Sequence, residues 1–220
     1  MTRILVVGAH PDDEVLGCGG TLARHVAAGD VVSALLLADG ETSRGAGDIP
    51  RRRRAAQAAA SALGLESVTT LDYPDNRLDS VALLDVVQSI ERVIAEKRPE
   101  IVYTHHAGDL NIDHAIVHRA VLTACRPAPV GGVRAIYAFE VPSSTEWGAT
   151  TLAPFVPTRY VDVTATLATK RRALECYGEE MRAAPHPRSL AGIEALASLR
   201  GHQIGCAAAE AFIVIREVVR

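Results

Sequence analysis

No two cysteines of this 220-residue chain are close enough in sequence to form a CxxC pair: Cys18, Cys125, Cys176 and Cys206 stand far apart. That spacing argues against a thiolate zinc site and against a disulfide framework. It leaves four thiols of the usually buried kind, with Cys18 alone inside a charged turn. Long apolar runs are missing too. The run at the amino end, Ile4 to Val7, is too short for the hydrophobic region of a signal peptide, and no later stretch nears the roughly 20 apolar residues of a membrane span. The expected location is therefore the cytoplasm. Neither charge is in excess: a formal net charge of −3 supplies no global field for nucleic acid or an anionic membrane surface, so local clusters are what count. Internal repeats and low-complexity linkers are also lacking. With 48% hydrophobic residues over this length, a single domain across residues 1–220 is predicted.

What is there is an alternation. Ile4 to Val7 is a short β-rich run, and Thr21 to Ala28 has helical spacing through Leu22 and Val26 before Gly29-Asp30 closes it. Val31 to Leu37 reads as the next strand, followed by a polar, glycine-rich loop to Pro50, a helix from Arg51 to Leu63, and Gly64 as its C′ residue. Val68 to Leu71 is a strand, Ser80 to Lys97 a helix with a broad apolar face, Ile101 to Thr104 a strand and His114 to Ala124 a helix. Past Arg126 the pattern loosens. "RAIYAFE" gives a fifth strand, Ser143 to Pro157 a long polar loop, Thr164 to Arg182 and Leu190 to Leu199 helices, and Glu210 to Arg216 a last strand. Short apolar strands alternating with helices predict βαβ units, hence an α/β fold on a mainly parallel sheet of order about 3-2-1-4-5.

The chemistry concentrates in two turns. "HPDDE", His10 to Glu14, follows the first strand, and "DLNIDH", Asp109 to His114, follows the fourth. Adjacent carboxylates repel one another and lose hydration when a turn is enclosed, so something must compensate them. In an open parallel sheet, ligands bind beyond the carboxyl ends of the strands where the strand order reverses. An order 3-2-1-4 sets these two turns across one crevice. Two histidines and one carboxylate make a hydrolytic zinc site when a position stays open for water, and His10, Asp13 and His114 meet that count. Asp12 is then placed to take a proton from water.

"AHPDDE", Ala9 to Glu14, together with "DLNIDHAIVHRAV" and the later "PHPRS", "RGHQIG" and "AEAFIVIRE", resembles the PIG-L or LmbE-like family of zinc-dependent N-acetylglucosamine deacetylases over nearly the whole chain. The resemblance implies a Rossmann-like three-layer α/β sandwich. His10, Asp13 and His114 would hold one Zn2+ per chain, with another divalent ion as the alternative, and Asp12 would activate water. The implied substrate is an N-acetylated amino sugar or a conjugate of one. Asp113 would orient a neighbouring imidazole. Many relatives carry His-Pro-Asp-His in the second motif; here Asn111 stands at the first histidine's place, able to donate a hydrogen bond to an oxyanion but unable to deliver a proton. Asp12 is therefore expected to serve as base and then acid, with His105, His106 or His186 as substitutes.

Around this centre, Asp39 and Asp75 end loops on the same edge and could bond sugar hydroxyls. His106, His186 and Arg188 are candidate substrate contacts, and Trp147 could stack on a sugar ring. Of Arg51 to Arg54, one could grip a substrate anion, although a charge run is commonly a solvated face. Three competing readings stand beside the deacetylase. One is a nucleotide-binding domain using Gly17, Gly19 and Gly20, which lacks GxGxxG spacing. Another is a phosphoesterase with two metal ions, and the third a catalytically silent glycan-binding relative. No nucleic acid partner is expected, and oligomerisation is left open, since the resembling family includes hexamers and smaller forms.

Overall fold

The computed structural model describes residues 1–44, 47–127, 132–148 and 150–219. Its strands are β1 (Arg3–Gly8), β2 (Val31–Ala38), β3 (Ser67–Tyr73), β4 (Ile101–His105), β5 (Ala135–Phe139), β6 (Arg159–Asp162) and β7 (Ala209–Glu217). Its helices are α1 (Asp13–Ala27), α2 (Ile49–Leu63), α3 (Leu83–Lys97), α4 (Ile112–Ala124), α5 (Leu167–Glu175) and α6 (Leu190–His202). The strands form one sheet in the order β3-β2-β1-β4-β5-β7-β6, parallel from β3 to β5 and antiparallel where β7 pairs with β5 and β6. The expected order 3-2-1-4-5 is thus continued by two strands, with the last strand in sequence inserted between β5 and β6.

Side chains alternate across the pleat, and this sorts the core into two layers. Ile4, Val6, Val32, Ala34, Leu36, Tyr103, Tyr137 and Phe212 pack against α1, α2, α5 and α6. Leu5, Val7, Leu35, Leu37, Val102 and Ile136 pack against α3 and α4. The result is a three-layer α/β sandwich, because a strand buried on both faces needs apolar residues at every position rather than at every second one. The chain leaves β1 toward β2 on one side, while β4 takes the other side. The strand order therefore reverses between β1 and β4, where a crevice forms.

Local signals explain most boundaries. Asp48 accepts the Arg51 N–H, Pro50 fills the first turn, and Gly64 closes α2 at φ 77°, the left-handed geometry glycine adopts without a Cβ clash. Three expectations need correction. The first helix begins at Asp13, not at Thr21, because the glycines that weaken its periodicity lie inside a helix that kinks at Cys18 (φ −148°). The helix expected over Thr164 to Arg182 runs only Leu167–Glu175, since Tyr177 leaves the helical path to reach Glu14. Ser80 to Lys97 splits into a 3₁₀ turn at Leu78–Ser80 and α3 from Leu83. The strand β6 was not foreseen: four residues at a sheet edge, three half-buried and one exposed, give too short a pattern to register. Part of the glycine-rich loop before Pro50, residues 45 and 46, lies outside the described residues. Among the described residues, no helix is long and apolar enough to cross a membrane.

Candidate active site

The turn after β1 is folded by its own acids. The His10 N–H donates to Asp13 Oδ2 at 2.8 Å, the Asp12 N–H to Glu14 Oε2 at 3.1 Å, and Asp12 itself sits at φ 128°, a costly conformation for a residue with a Cβ. The turn after β4 reaches over to meet it. The His105 ring accepts the Ala9 N–H through Nε2 at 2.9 Å and stacks on His114 with centroids 3.9 Å apart. The expected juxtaposition of the first and fourth turns is therefore present, at the carboxyl edge of β1 and β4.

Within it, one ligating atom from each of His10, Asp13 and His114 falls within 4.8 Å of the others, all three residues being buried. Asp13 Oδ1 and His114 Nε2 lie 3.4 Å apart, and neither has a hydrogen-bond partner among the described residues. Buried polar atoms are rarely left unpaired, and a carboxylate and an imidazole nitrogen facing one another across 3.4 Å call for a proton or a cation between them. The donor set, two imidazoles and a carboxylate, suits zinc.

Each ligand candidate is braced from behind. His114 Nδ1 lies 3.0 Å from Asp109 Oδ1, and Asp109 in turn accepts the Ser144 hydroxyl, the Thr145 hydroxyl at 2.5 Å and the Asn111 N–H at 2.9 Å. His10 Nδ1 faces Asp13 Oδ2 at 3.3 Å, while its Nε2 meets Asp113 Oδ2 at 3.0 Å and Asp75 Oδ1 at 3.2 Å. A carboxylate behind an imidazole fixes its tautomer and raises its basicity, the arrangement metal-binding histidines use. The same carboxylates also favour positive charge on the two imidazoles, a charge that a bound cation would supply in place of the protons. Burial opposes a charged His10, yet the carboxylates of Asp113 and Asp13 push it up to about 10. For His114, burial is likewise overcome by Asp13 and Asp109, which raise it to about 9. Burial would raise Asp13, but His114 and His105 hold it well below the usual carboxylate range. His105, with burial and His114 both against its charge, falls to about 4. The centre is organised around positive charge held between fixed carboxylates.

Asp12, 2% exposed, points to a different set of partners. Its Oδ2 receives Arg188 Nη1 at 3.2 Å and lies 3.8 Å from Arg52 Nη2; Arg52 is itself paired with Glu180 at 2.6 Å. Burial pushes the Asp12 carboxyl upward and the two guanidiniums pull it back. Glu14 is raised to about 7 by burial, with the Tyr177 hydroxyl donating to it at 2.6 Å in opposition.

The remaining candidates are placed as follows. Asp75 adjoins His10 and accepts the Ser43 hydroxyl, so it belongs to the bracing shell. Asp39 Oδ1 accepts the N–H groups of Glu41 and Thr42, closing its own turn. Asn111 is the N-cap of α4: its Oδ1 accepts the Asp113 N–H and its Nδ2 donates to Asn76. His106 bonds the Ala153 carbonyl through Nε2 and packs edge-on against Phe155, which ties the turn after β4 to the long loop. His186 accepts the Arg188 N–H and meets Trp147 edge-on at 5.8 Å, so those three residues form one rim beside Asp12. Sequence reasoning gave no role to Tyr177 and Glu180; it placed Asp109 in the crevice without a bracing role, and took His105 as a substitute proton donor rather than as the ring that accepts the Ala9 N–H and stacks on His114. Ser144 and Thr145, thirty-five and thirty-six residues beyond Asp109, would have been its signal, visible only once the fold joins them.

Gly17, Gly19 and Gly20 are packing glycines. A Cβ on Gly17 would come within 2.2 Å of the Phe139 ring, and one on Gly20 within 2.9 Å of Val163. They line the buried interior of α1, which removes the basis for reading them as a phosphate loop.

Comparison with known proteins agrees with this geometry. The family described as "PIG-L: GlcNAc-PI de-N-acetylase" matches residues 5–125. An uncharacterized deacetylase, YaiS of Escherichia coli (strain K12), is 35% identical over 146 residues, 64% of this chain and 75% of that protein. The diacetylchitobiose deacetylase of Thermococcus kodakarensis is 32% identical over 106 residues, 46% of this chain and 39% of that protein. Among solved structures, the 4-carboxy-2-hydroxymuconate hydratase GalB of Pseudomonas putida KT2440 superposes with a TM-score of 0.81 at 24% identity, covering 100% of this chain and 98% of that one. That last likeness shows the fold alone, since one architecture hosts more than one reaction.

Proposed function

The chain belongs to the PIG-L family and is an amidohydrolase of the deacetylase type; from that premise we propose that it removes the acetyl group from the amide nitrogen of an N-acetylated amino sugar or its conjugate, using one zinc ion. The observation that carries the metal is the pair of unpartnered buried atoms, Asp13 Oδ1 and His114 Nε2, with His10 completing the set. A zinc ion held by these three residues would supply Lewis acidity to the amide carbonyl and to water.

The chain's own residues do the rest. Asp12 takes the proton of the attacking water and returns it to the departing nitrogen. Both guanidinium contacts fall on Oδ2, so Oδ1 is assigned the proton. Arg188 and Arg52 keep that carboxylate available against the pull of burial. Asp113 and Asp109 hold the two imidazoles in register. Asn111, committed to capping α4, is not assigned the oxyanion; His10 is the most exposed of the three ligand candidates and marks the side from which the substrate enters.

A second set, His10 Nε2 with Asp75 and Asp113, could hold another cation, as a two-ion phosphoesterase would require. It shares the His10 ring with the first set, and its distances of 3.0 and 3.2 Å are those of an imidazole N–H held by carboxylates. One ion per chain is therefore expected. The test is amine release from N-acetylglucosamine, N,N′-diacetylchitobiose and N-acetylglucosaminyl conjugates, before and after chelation, with metal content measured. Release that stops on metal removal and returns with one equivalent of zinc is expected. Activity undiminished after verified removal would overturn the reading.

A further inference from the structure

The kink in α1 is filled by a buried ion pair. In an unbroken helix the Gly20 N–H would donate to the Leu16 carbonyl, four residues back. Here the Gly20 N–H donates to Glu210 Oε1 at 2.9 Å, Lys170 Nζ lies 2.6 Å from the same oxygen, and Lys170 Nζ donates to the Leu16 carbonyl at 2.9 Å. Glu210 Oε2 accepts the Thr21 N–H at 2.6 Å. A carboxylate from β7 and an ammonium from α5 are thus inserted into the helix's own hydrogen-bond ladder. Both are almost fully buried, at 5% and 3% exposure.

The surrounding sequence makes room for them. A Cβ on Gly20 would lie 3.2 Å from Glu210 Oε1, and one on Gly19 3.3 Å from Lys170 Cγ, so the run Gly17-Cys18-Gly19-Gly20 is what lets the pair approach. The charges match the ends they serve. Glu210 meets freed N–H groups at the start of the second helical piece, and Lys170 a freed carbonyl at the end of the first.

We propose that Lys170 and Glu210 are positioning residues for the metal-ligating turn: they hold the first turn of α1, which carries Asp13, at an angle the rest of the helix would not impose. This rests on the deacetylase reading above. A buried pair is a poor device for stability alone, because its desolvation cost offsets most of its attraction. It is suited to fixing one geometry, and metal–ligand distances tolerate only about 0.2 Å. Leu16 lies one helical turn beyond Asp13, so a change at its carbonyl tilts the carboxylate against His10 and His114.

The experiment measures the zinc dissociation constant by competition with a chromophoric chelator, on wild type, His114→Ala, Lys170→Met, Lys170→Arg and the double variant Lys170→Met/Glu210→Gln. Circular dichroism and a cooperative thermal transition verify folding. For Lys170→Met the constant is expected to rise about tenfold or more, the range found when groups behind metal ligands are removed, with Lys170→Arg recovering part of the loss. The double variant, which leaves no uncompensated charge, is expected to fold and to show the same weakening. Zinc affinity within twofold of wild type in the folded double variant would overturn the positioning role while leaving the deacetylase reading intact. A wild type that binds zinc no better than His114→Ala would overturn both.

Discussion

Asp12 carries the proton transfer in this reading, and its replacement separates chemistry from metal binding. Asp12→Asn is expected to lower kcat by about 10²- to 10⁴-fold, the usual worth of a positioned general base, with zinc content unchanged by elemental analysis. Near-wild-type turnover would remove Asp12 from the mechanism. His118 offers a test of burial away from the reacting atoms. Burial lowers its pKa from 6.5, partly offset by the bond from its Nδ1 to the His105 carbonyl at 2.8 Å. A histidine whose folded pKa is depressed binds its proton more readily when unfolded, so the native state loses stability as pH falls below 6.5. His118→Asn, which keeps a donor near Nδ1, is expected to show a shallower decline of the urea midpoint between pH 7 and 5.5 than wild type. An identical slope would contradict it. At this scale the sequence was informative where spacing is short. His10, Asp12 and Asp13 share one turn, and His114 opens a helix beside Asp113. Asp39, Asn111 and His106 were legible as polar residues on the right edge, but the bonds they make, to turn amides, a helix start and a loop carbonyl, depend on partners that no local pattern names.

Among the elements, α1 and α4 matter most, since each begins within the crevice. Asn111 caps α4, so Asn111→Ala is expected to cost about 1 kcal/mol of stability, as loss of an N-cap does, while Asn111→Ser keeps the cap. Thermal melts of both, with kcat measured alongside, decide its role. A fall in kcat for the well-capped serine variant would return Asn111 to the reaction. In α1, Gly17→Ala places a methyl against the Phe139 ring and is expected to destabilise by about 1 to 3 kcal/mol, the cost of overpacking, partly relieved by Phe139→Leu in the same chain. Equal stability of Gly17→Ala and wild type in urea would contradict the close approach. Helix α2 was readable to its last residue because Pro50 and Gly64 act locally, as does the Asp48 cap that the structure adds. Helix α1 was not, because its bend is made by residues from α5 and β7 that lie more than a hundred positions away.

Over the whole molecule, the parallel half of the sheet follows from alternating apolar runs, whereas the antiparallel end does not. The chain leaves β5, lays down the long loop, β6, α5 and α6, and returns as β7 between β5 and β6. Nothing in the run "AEAFIVIRE" states which neighbours it will have; that is settled by Phe212, buried against Tyr103 with ring centroids 5.1 Å apart, and by Glu210 reaching α1. Deleting residues 209–220 is accordingly expected to abolish cooperative folding, because it unpairs two strands and empties the core at Phe212; a soluble truncated chain with a sharp thermal transition would refute this. The same long excursion places the chain's sole tryptophan, Trp147, half exposed and edge-on to His186 at the rim beside Asp12. Its fluorescence therefore offers an intrinsic, label-free test of whether a sugar reaches this rim: a ligand covering the indole would shift the emission maximum, with no second tryptophan to add background.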